Sequence, residues 1–203
     1  MPRMICLANS VKHNERCIAG IDEMTGQWIR PVYRLREKAL PPWVRLIEGR
    51  EPAILDVIDV PLEDIGPDEG CQPENRLVRK GAWKLVRHAS VDQVLRYCEP
   101  NVVILHNHER CVRAEFFSRL PRERWKSLQL VRVGDAQFLR RERDDRVRWQ
   151  VRFRDGSGRL LDLRLTDAVA RDRLDRGETL RSDCLLTVSL TTPWAPEDQS
   201  LPP

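Results

Sequence analysis

Long apolar runs are missing from this 203-residue sequence. The longest, residues 4–8, is far shorter than the about 18 apolar residues that a membrane-spanning helix needs. A secretory signal is not expected either, because Asn9 and Lys12 interrupt the apolar start of the chain. The sequence therefore predicts a cytoplasmic protein that does not contact a membrane.

Cysteine pairs at metal-binding spacing are also missing. None of the six cysteines forms a Cys-x-x-Cys motif, which excludes the common zinc-ribbon and thioredoxin-like signatures. Scattered cysteines in strand-like segments are typical of reduced, mostly buried thiols. His106, His108 and Cys111 are the one metal-like cluster and could supply three ligands to a metal-dependent hydrolase. We favour a polar loop after a buried strand at residues 102–105, and expect no metal and no cofactor.

Motifs that carry catalysis are absent. The sequence contains no Gly-x-Ser-x-Gly nucleophile elbow and neither of the glycine-rich phosphate loops, GxxxxGK[ST] or GxGxxG. Its four histidines have no spacing that would pair one of them with a nucleophilic serine or cysteine. Acid–base carboxylate pairs stay open, because 31 acidic residues always offer some pair. The balance favours a binding module over an enzyme.

Charge is nearly balanced over the whole chain but unevenly distributed along it. The 35 basic and 31 acidic residues give a net charge of +4, and 30 of the basic residues are arginine. Residues 110–154 hold 14 basic and 6 acidic residues, a local excess of +8, whereas residues 59–74 hold six acidic residues and no basic one. Arginine forms bidentate contacts with phosphate or carboxylate, so the basic segment indicates where a polyanion would bind.

The first half of the chain reads as strands followed by a short helix. Ser90 and Gln93 form the Ser-x-x-Gln pattern of a capping box, which predicts a helix over residues 91–98. Turn residues at 23–26 predict a hairpin. The strand candidates lie at residues 4–7, 17–21, 27–32 and 53–60.

The second half alternates apolar and polar residues more strictly. Val147, Trp149, Val151 and Phe153 share one face of a predicted strand, with arginine or glutamine between them. Thr166 and Asp167 can cap a helix that runs to about residue 175. The strand candidates lie at residues 127–133, 137–143, 147–154, 160–165 and 184–190.

These elements predict a mainly β protein with short helices, built as two tandem OB-like small β-barrels. Four meandering strands, a helix and a closing strand are the parts of a five-stranded OB-fold. The predicted divisions are an N-terminal barrel at 1–89, a helical or irregular connection at 90–126, a C-terminal barrel at 127–192 and a disordered tail at 193–203.

Arginines on strand faces beside aromatic residues are the best candidates for a binding site. Such a surface neutralises phosphates while rings or guanidinium planes stack on bases, as in single-strand binders. The C-terminal candidates are Arg140, Arg148, Arg152, Arg154 and Arg164, and the N-terminal candidates around one hairpin are Lys12, Arg16, Trp28, Arg30 and Arg34.

Each of these candidates also has a structural interpretation. An outward strand face is charged in most half-buried sheets because water covers it. Trp149 and Phe153, which alternate with the arginines, are expected in the core. Trp28 either stacks on a base beside Arg30 or packs into the core while Arg30 pairs with an acid, and both interpretations stay open.

Several short segments together carry a family resemblance. They are ICLANS at 5–10, RCIAG at 16–20, GQWIRPV at 26–32, LDV at 55–57, QPEN at 72–75, LTD at 165–167 and LTVSL at 186–190. This set resembles the bacterial dual OB-fold domain family over most of the chain. The resemblance implies two OB-type barrels in tandem and a nucleic-acid-binding role in bacterial defence or conflict systems. It implies no established catalytic activity and offers no agreed ligand residues.

The function predicted from the sequence is a nucleic-acid-binding or sensing module without intrinsic catalysis. Single-stranded nucleic acid is the favoured partner. The alternative is a protein-interaction adaptor that holds a partner enzyme through the acidic segment at 59–74 or through an open barrel edge.

Overall fold

The computed structural model describes residues 1–12, 15–34, 40–107, 111–143 and 146–191. Its strands are β1 (Arg3–Lys12), β2 (Glu15–Asp22), β3 (Trp28–Val32), β4 (Asp56–Asp59), β5 (Asn75–Leu77), β6 (Lys84–His88), β7 (Leu128–Val133), β8 (Gln137–Arg143), β9 (Arg146–Arg154), β10 (Leu160–Arg164) and β11 (Cys184–Ser189). Its helices are α1 (Pro42–Arg45), α2 (Val91–Leu95), α3 (Ala114–Arg119) and α4 (Ala168–Asp175), with a 3-10 turn at Arg122–Arg124. The prediction of a mainly β protein with short helices is confirmed.

The first six strands form the N-terminal unit, a sheet in the order β5-β3-β2-β1-β4-β6. At Gly20, β2 approaches β1 so closely that a Cβ atom would lie 2.1 Å from the Ile5 carbonyl oxygen, so the long hairpin needs glycine there. The chain beyond β4 pairs with the chain around β5, because Arg79 N donates to Pro61 O at 2.9 Å and Glu63 N donates to Leu77 O at 2.8 Å. These bonds complete a ring of paired segments.

An apolar core fills this ring. Alternate residues of β1, β2 and β4 point inward, as the period of two requires. The buried side chains of this core include Met4, Cys6, Ile18, Ile29, Ile58, Val60 and Trp83. The four sequence-based strands of this half are found, although β1 extends to Lys12, well beyond the expected end at residue 7, and the strand expected at 53–60 is limited to Asp56–Asp59. The strands β5 and β6 were not predicted.

The last five strands form the C-terminal unit, with two sheets ordered β10-β9-β8 and β11-β7. Val151 and Phe153 are buried between the sheets, as the strict alternation predicts. Trp149 shares their face but is half-buried, and its Nε1 donates to Asp175 Oδ1 of α4 at 2.7 Å. The predicted strands and the helix of this half are confirmed to within one or two residues.

Local capping chemistry also agrees with the sequence. Gln93 N donates to Ser90 Oγ at 3.2 Å, and Ser90 N donates to Gln93 Oε1 at 3.0 Å, which is the predicted capping box of α2. Asp167 Oδ1 accepts from Ala170 N at 2.7 Å and caps α4. No helix among the described residues is long and apolar enough to cross a lipid bilayer.

The predicted buried strand at residues 102–105 is wrong. The segment forms bends, Val102 is half exposed, and Leu105 has a φ of 61°, which a strand does not tolerate. Its backbone bonds go to the side chain of Gln129 instead. Gln129 Nε2 donates to Val103 O at 3.4 Å, and Gln129 Oε1 accepts from Leu105 N. A buried side chain 24 residues away thus replaces a strand partner.

The two units pack together along a shared apolar layer. Leu130 of β7 lies in one cluster with Ile5, Leu7, Val57 and Val94 of the N-terminal half. Backbone contacts reinforce this layer, because Thr187 Oγ1 donates to Leu7 O at 2.7 Å and Val11 N donates to Thr166 O at 2.9 Å. The divisions at residues 89, 126 and 192 stay predictions, and the predicted tail at 193–203 lies outside the described residues.

A buried polar contact lies at the same junction. Arg30 Nη2 is 2.9 Å from Glu74 Oε1 and donates to Ser127 Oγ at 3.1 Å, while Ser127 Oγ donates to Glu74 Oε1. The side chains of Arg30 and Glu74 are only 13% and 5% exposed. We call this three-residue contact the junction triad. It joins β3, the segment before β5 and the segment before β7.

Substituting Glu74→Gln tests the junction triad. The variant leaves the Arg30 guanidinium buried without a counter-charge, so we expect the free energy of unfolding to fall by about 3 to 5 kcal/mol. Urea unfolding followed by circular dichroism measures the change. Glu178→Gln is the matched control, because Glu178 pairs with Arg173 at an exposed site and its loss should leave stability unchanged. Equal losses in both variants would contradict a special role for the triad.

The cysteines generate a second prediction. All six are reduced thiols, and burial raises the pKa of Cys6 to about 12 and raises the pKa of Cys71. At pH 8 only about one Cys6 side chain in ten thousand is then a thiolate. Cys17 and Cys111, in contrast, are exposed to solvent. We expect iodoacetamide to modify Cys17 and Cys111 first in the native protein and to reach Cys6 only after denaturation, as peptide mass mapping would show. Rapid native modification of Cys6 would contradict its burial.

Candidate nucleic-acid interface

The outer face of β8, β9 and β10 carries most of the predicted C-terminal site. Because Val151 and Phe153 point into the core, the residues between them point outward. Strand register extends this face, since Arg141 lies opposite Arg148 and Arg164 lies opposite Gln150. We call this surface the arginine face. Its members are Arg141, Arg148, Arg152, Arg154 and Arg164.

The arginines of this face differ in the partners that they have within the protein. Arg152 forms a bidentate pair with Asp162, with Nε–Oδ1 and Nη2–Oδ2 distances of 2.7 and 2.8 Å, and this contact raises the pKa of Arg152. Arg154 Nη1 donates to Gly158 O at 2.9 Å. Arg148 and Arg164 are exposed and form no ion pair with a described residue. The face therefore keeps positive charge that its own acid does not neutralise.

Two of these arginines oppose each other directly across the strands. Cβ atoms of register partners lie about 4.5–5.5 Å apart, and like charges in such pairs destabilise a sheet. Arg141 faces Arg148 in this way. Arg141 Nε donates to Gln150 Oε1 at 3.4 Å and has no ion pair with a described residue. A polyanion would relieve this repulsion, because it places phosphate between the guanidinium groups.

Arg140 does not belong to this face. It is the register partner of Trp149, so it points to the opposite side of the sheet from Arg141 and Arg148. It pairs there with Glu142 at 2.7 Å. The structure therefore brings only four of the five predicted C-terminal arginines to one face. Neighbouring residues of a strand point to opposite sides of the sheet, so β8 contributes Arg141 to this face and not Arg140. Arg141 is the residue that the sequence interpretation missed.

The end of the β1–β2 hairpin lies beside the arginine face. The strand ladder continues past β10, where Leu165 N donates to Trp149 O at 2.9 Å, and Asp167 forms an antiparallel bridge with Ser10. β1 thus runs alongside the chain that follows Arg164, and its last residue is Lys12, of which only the backbone is described. The structure therefore places the backbone of Lys12 beside the chain that follows β10.

The β1–β2 hairpin contains two of the predicted candidates, Lys12 and Arg16, and the structure describes the side chain of Arg16. It lies opposite Val11 of β1, and its Nη1 donates to Asn9 Oδ1 at 3.3 Å. Its Nε is 3.9 Å from Glu51 Oε1. Arg16 is half-buried, so it lies at the margin of the arginine face with part of its charge balanced.

Trp28, Arg30 and Arg34 lie away from this surface. Arg30 is committed to the junction triad, and Trp28 packs against the apolar layer between the units. Of the two interpretations left open by the sequence, the one in which Trp28 packs against apolar residues and Arg30 pairs with an acid therefore describes both positions. Arg34 has a 66% exposed side chain and pairs with Glu63. The structure thus separates these three candidates from Lys12 and Arg16.

The acidic segment at 59–74 is largely neutralised by arginines of the same molecule. Its carboxylates reach four different parts of the chain, including the 3-10 turn that precedes β7. The pairs are Asp59 with Arg3, Glu63 with Arg34, Asp68 with Arg122 and Glu74 with Arg30. This segment is therefore occupied by internal contacts and offers less charge to an external partner than its composition indicates.

The metal-like cluster of the sequence is not assembled in the described part of the chain. His106 Nε2 lies 2.7 Å from Lys126 O and accepts from Lys126 N at 3.0 Å, while the imidazole packs on Phe116 and Phe117. Burial lowers the pKa of His106. His108 lies outside the described residues, among which no group of three His, Cys, Asp or Glu side chains is placed to hold a metal.

Two further features had no clear sequence signal. Asp56 is fully buried, and its Oδ2 accepts from Arg50 Nη1 at 2.7 Å and from Ala53 N at 2.9 Å. His88 Nδ1 lies 2.8 Å from Asp56 Oδ1, and this oxygen accepts no hydrogen bond from a described residue. The other feature is Trp43 on α1, whose side chain is exposed. Neither shows a periodic pattern that would have revealed it.

Comparison with known proteins identifies the family. No curated protein and no solved structure matches the chain. The family model described as a dual OB-containing domain matches residues 2–200, which is nearly the whole chain and agrees with the two β units of the structure. The chain therefore belongs to the dual OB-containing domain family.

Proposed function

We propose that this protein is a nucleic-acid-binding or sensing module without intrinsic catalysis, and that the arginine face is its contact surface. The OB-fold is a nucleic-acid-binding type of fold, in which strand faces and neighbouring loops take up oligonucleotides. The observation that carries the proposal is the opposed, exposed pair Arg141 and Arg148 next to Arg164, with no ion pair to a described acid.

The chemistry of this surface fits phosphate. Guanidinium groups bind phosphate oxygens with two parallel hydrogen bonds and stay charged at any physiological pH. Binding releases the counterions of the nucleic acid, which supplies most of the sequence-independent affinity. Arg141, Arg148 and Arg164 form the centre of the proposed site, with Arg152 and Arg154 beside them. Arg16 extends it at the hairpin margin.

The remaining candidates take other roles in this proposal. Arg30 stabilises the junction, Trp28 belongs to the apolar layer, and Arg34 and Arg140 pair with acids away from the face. Single-stranded nucleic acid is the favoured ligand, because OB-folds take extended strands across a curved sheet. A setting in bacterial defence follows only from the family resemblance and is part of the proposal.

The adaptor alternative has less support from the geometry. An acidic segment that recruits a partner would present unpaired carboxylates, whereas four of its six acids pair with arginines of the same chain. The arginine face, in contrast, has charged groups without partners, because its exposed guanidinium groups outnumber its acids. The charge imbalance of this molecule therefore favours an anionic partner at the arginine face.

The salt dependence of binding tests the proposal. Fluorescence anisotropy with labelled single-stranded and duplex oligonucleotides, titrated at several salt concentrations, gives the slope of log Kobs against log salt. We expect binding at low salt and a slope of about −0.7 per phosphate contact for single strands. Absence of binding at low salt would refute the proposal, and a slope near zero would exclude phosphate contacts as its basis.

The double variant Arg141→Ala/Arg148→Ala tests the location of the site. Removing two phosphate contacts should weaken single-strand binding and reduce the salt slope by about 1.4. The matched control is Arg173→Ala/Arg176→Ala, which removes the same charge from the end of α4, where both arginines pair with Glu178. Equal effects of the two variants would show that net charge, and not the arginine face, determines binding.

A further inference from the structure

An exposed tryptophan stands out on the connection between β3 and β4. Trp43 lies on the single-turn helix α1, and 77% of its surface is accessible to water. A tryptophan side chain usually buries most of its large apolar surface, so this exposure forgoes a stabilising contact. The position is therefore unusual for a residue that serves folding alone.

The turn that carries Trp43 is held firmly in place. Pro42 begins the helix and fixes its backbone at the first position, where proline is favoured. Val44 packs against the core of the N-terminal unit, and Leu40 is buried in that core. Arg45 Nη2 is 2.7 Å from Glu51 Oε1, and Arg45 Nη1 donates to Leu40 O. The indole thus projects from an anchored turn instead of a loose loop.

The same anchor connects α1 to the margin of the arginine face. Glu51 accepts from Arg45 and also lies 3.9 Å from Arg16, so one carboxylate holds both guanidinium groups. Arg16 lies opposite Val11, whose amide binds Thr166 just after β10. A short series of contacts therefore joins the Trp43 turn to the end of the strand that carries Arg164.

We infer that Trp43 is a stacking platform for an unpaired nucleobase of the strand that the arginine face holds by its phosphates. This inference rests on the proposed function. A base has a planar π-face that matches an indole, and stacking of this kind accepts any base sequence. It also requires single-stranded nucleic acid, because bases in a duplex already stack on each other.

The surroundings of Trp43 favour a base over a protein partner. Protein interfaces centre on contiguous apolar patches, in which a tryptophan is surrounded by other apolar side chains. On α1 the neighbouring side chains are Val44, which packs on the core, and Arg45, which is bound to Glu51. Arg50 of the same connection is 43% exposed and pairs with Asp56. One projecting ring beside side chains that are already packed or paired fits a single planar ligand group.

Binding of single-stranded oligonucleotides to four forms of the full chain tests this inference. The forms are the wild type, Trp43→Ala, Trp43→Phe and the control Met24→Ala, which removes another exposed apolar side chain. We expect Trp43→Ala to weaken single-strand binding roughly 5- to 100-fold, Trp43→Phe to retain most of the affinity, and Met24→Ala to bind as the wild type does. Duplex binding should not change in any of them.

An oligonucleotide of the same length with abasic sites isolates the stacking contribution. The wild type should lose affinity for the abasic strand, and Trp43→Ala should bind abasic and complete strands equally. Wild-type affinity in Trp43→Ala would overturn the inference while leaving the proposed function standing. An equal loss for abasic and complete strands would also overturn it, since Trp43 would then act on something other than a base. Absence of wild-type binding to any nucleic acid at low salt would refute the proposed function and this inference together.

Discussion

The buried contact between Arg30, Glu74 and Ser127 is the constraint on which the arrangement of the two units depends. Taking a guanidinium and a carboxylate out of water is costly unless each finds its partner in good geometry, so the contact tolerates one relative placement of its segments. Arg30 belongs to β3, Glu74 precedes β5, and Ser127 precedes β7. Together with the apolar layer around Leu130, the triad links the two units.

The segments that carry the family resemblance meet at this junction. Leu7 of ICLANS accepts from Thr187 of LTVSL, and Arg30 of GQWIRPV binds Glu74 of QPEN. Val11, directly after ICLANS, donates to Thr166 of LTD, and Gln72 Nε2 of QPEN donates to Leu190 O at 3.5 Å. These segments therefore hold the two units together. A resemblance built on them identifies the dual arrangement and gives no information about which ligand the outer surfaces take.

Local sequence patterns predict local structure in this chain. They fail where a segment is held by a residue that lies far away along the sequence. The alternation of Val151 and Phe153 and the capping box at Ser90 depend only on near neighbours, so the C-terminal strands and α2 could be placed from the sequence. The segment at 102–105 could not, because the partner of its backbone is the Gln129 side chain. The same limit applies to Arg30, whose partners lie 44 and 97 positions along the chain. Arg140 and Arg141 differ only in strand parity, which the register of β8 with β9 decides.

Some arginines of this chain form ion pairs with acids of the same molecule, and others do not. This difference explains why the net charge says little about function. Arg3, Arg30, Arg34 and Arg122 neutralise the acidic segment at 59–74 and thereby fix it to the rest of the molecule. Arg148 and Arg164 meet no described acid and stand on the outer face of the sheet formed by β8, β9 and β10. Side chains that already have a partner gain little from a phosphate, because they must first give up an existing ion pair. The arginine face therefore carries guanidinium charge that no described carboxylate balances, whereas the arginines beside the acidic segment are already paired.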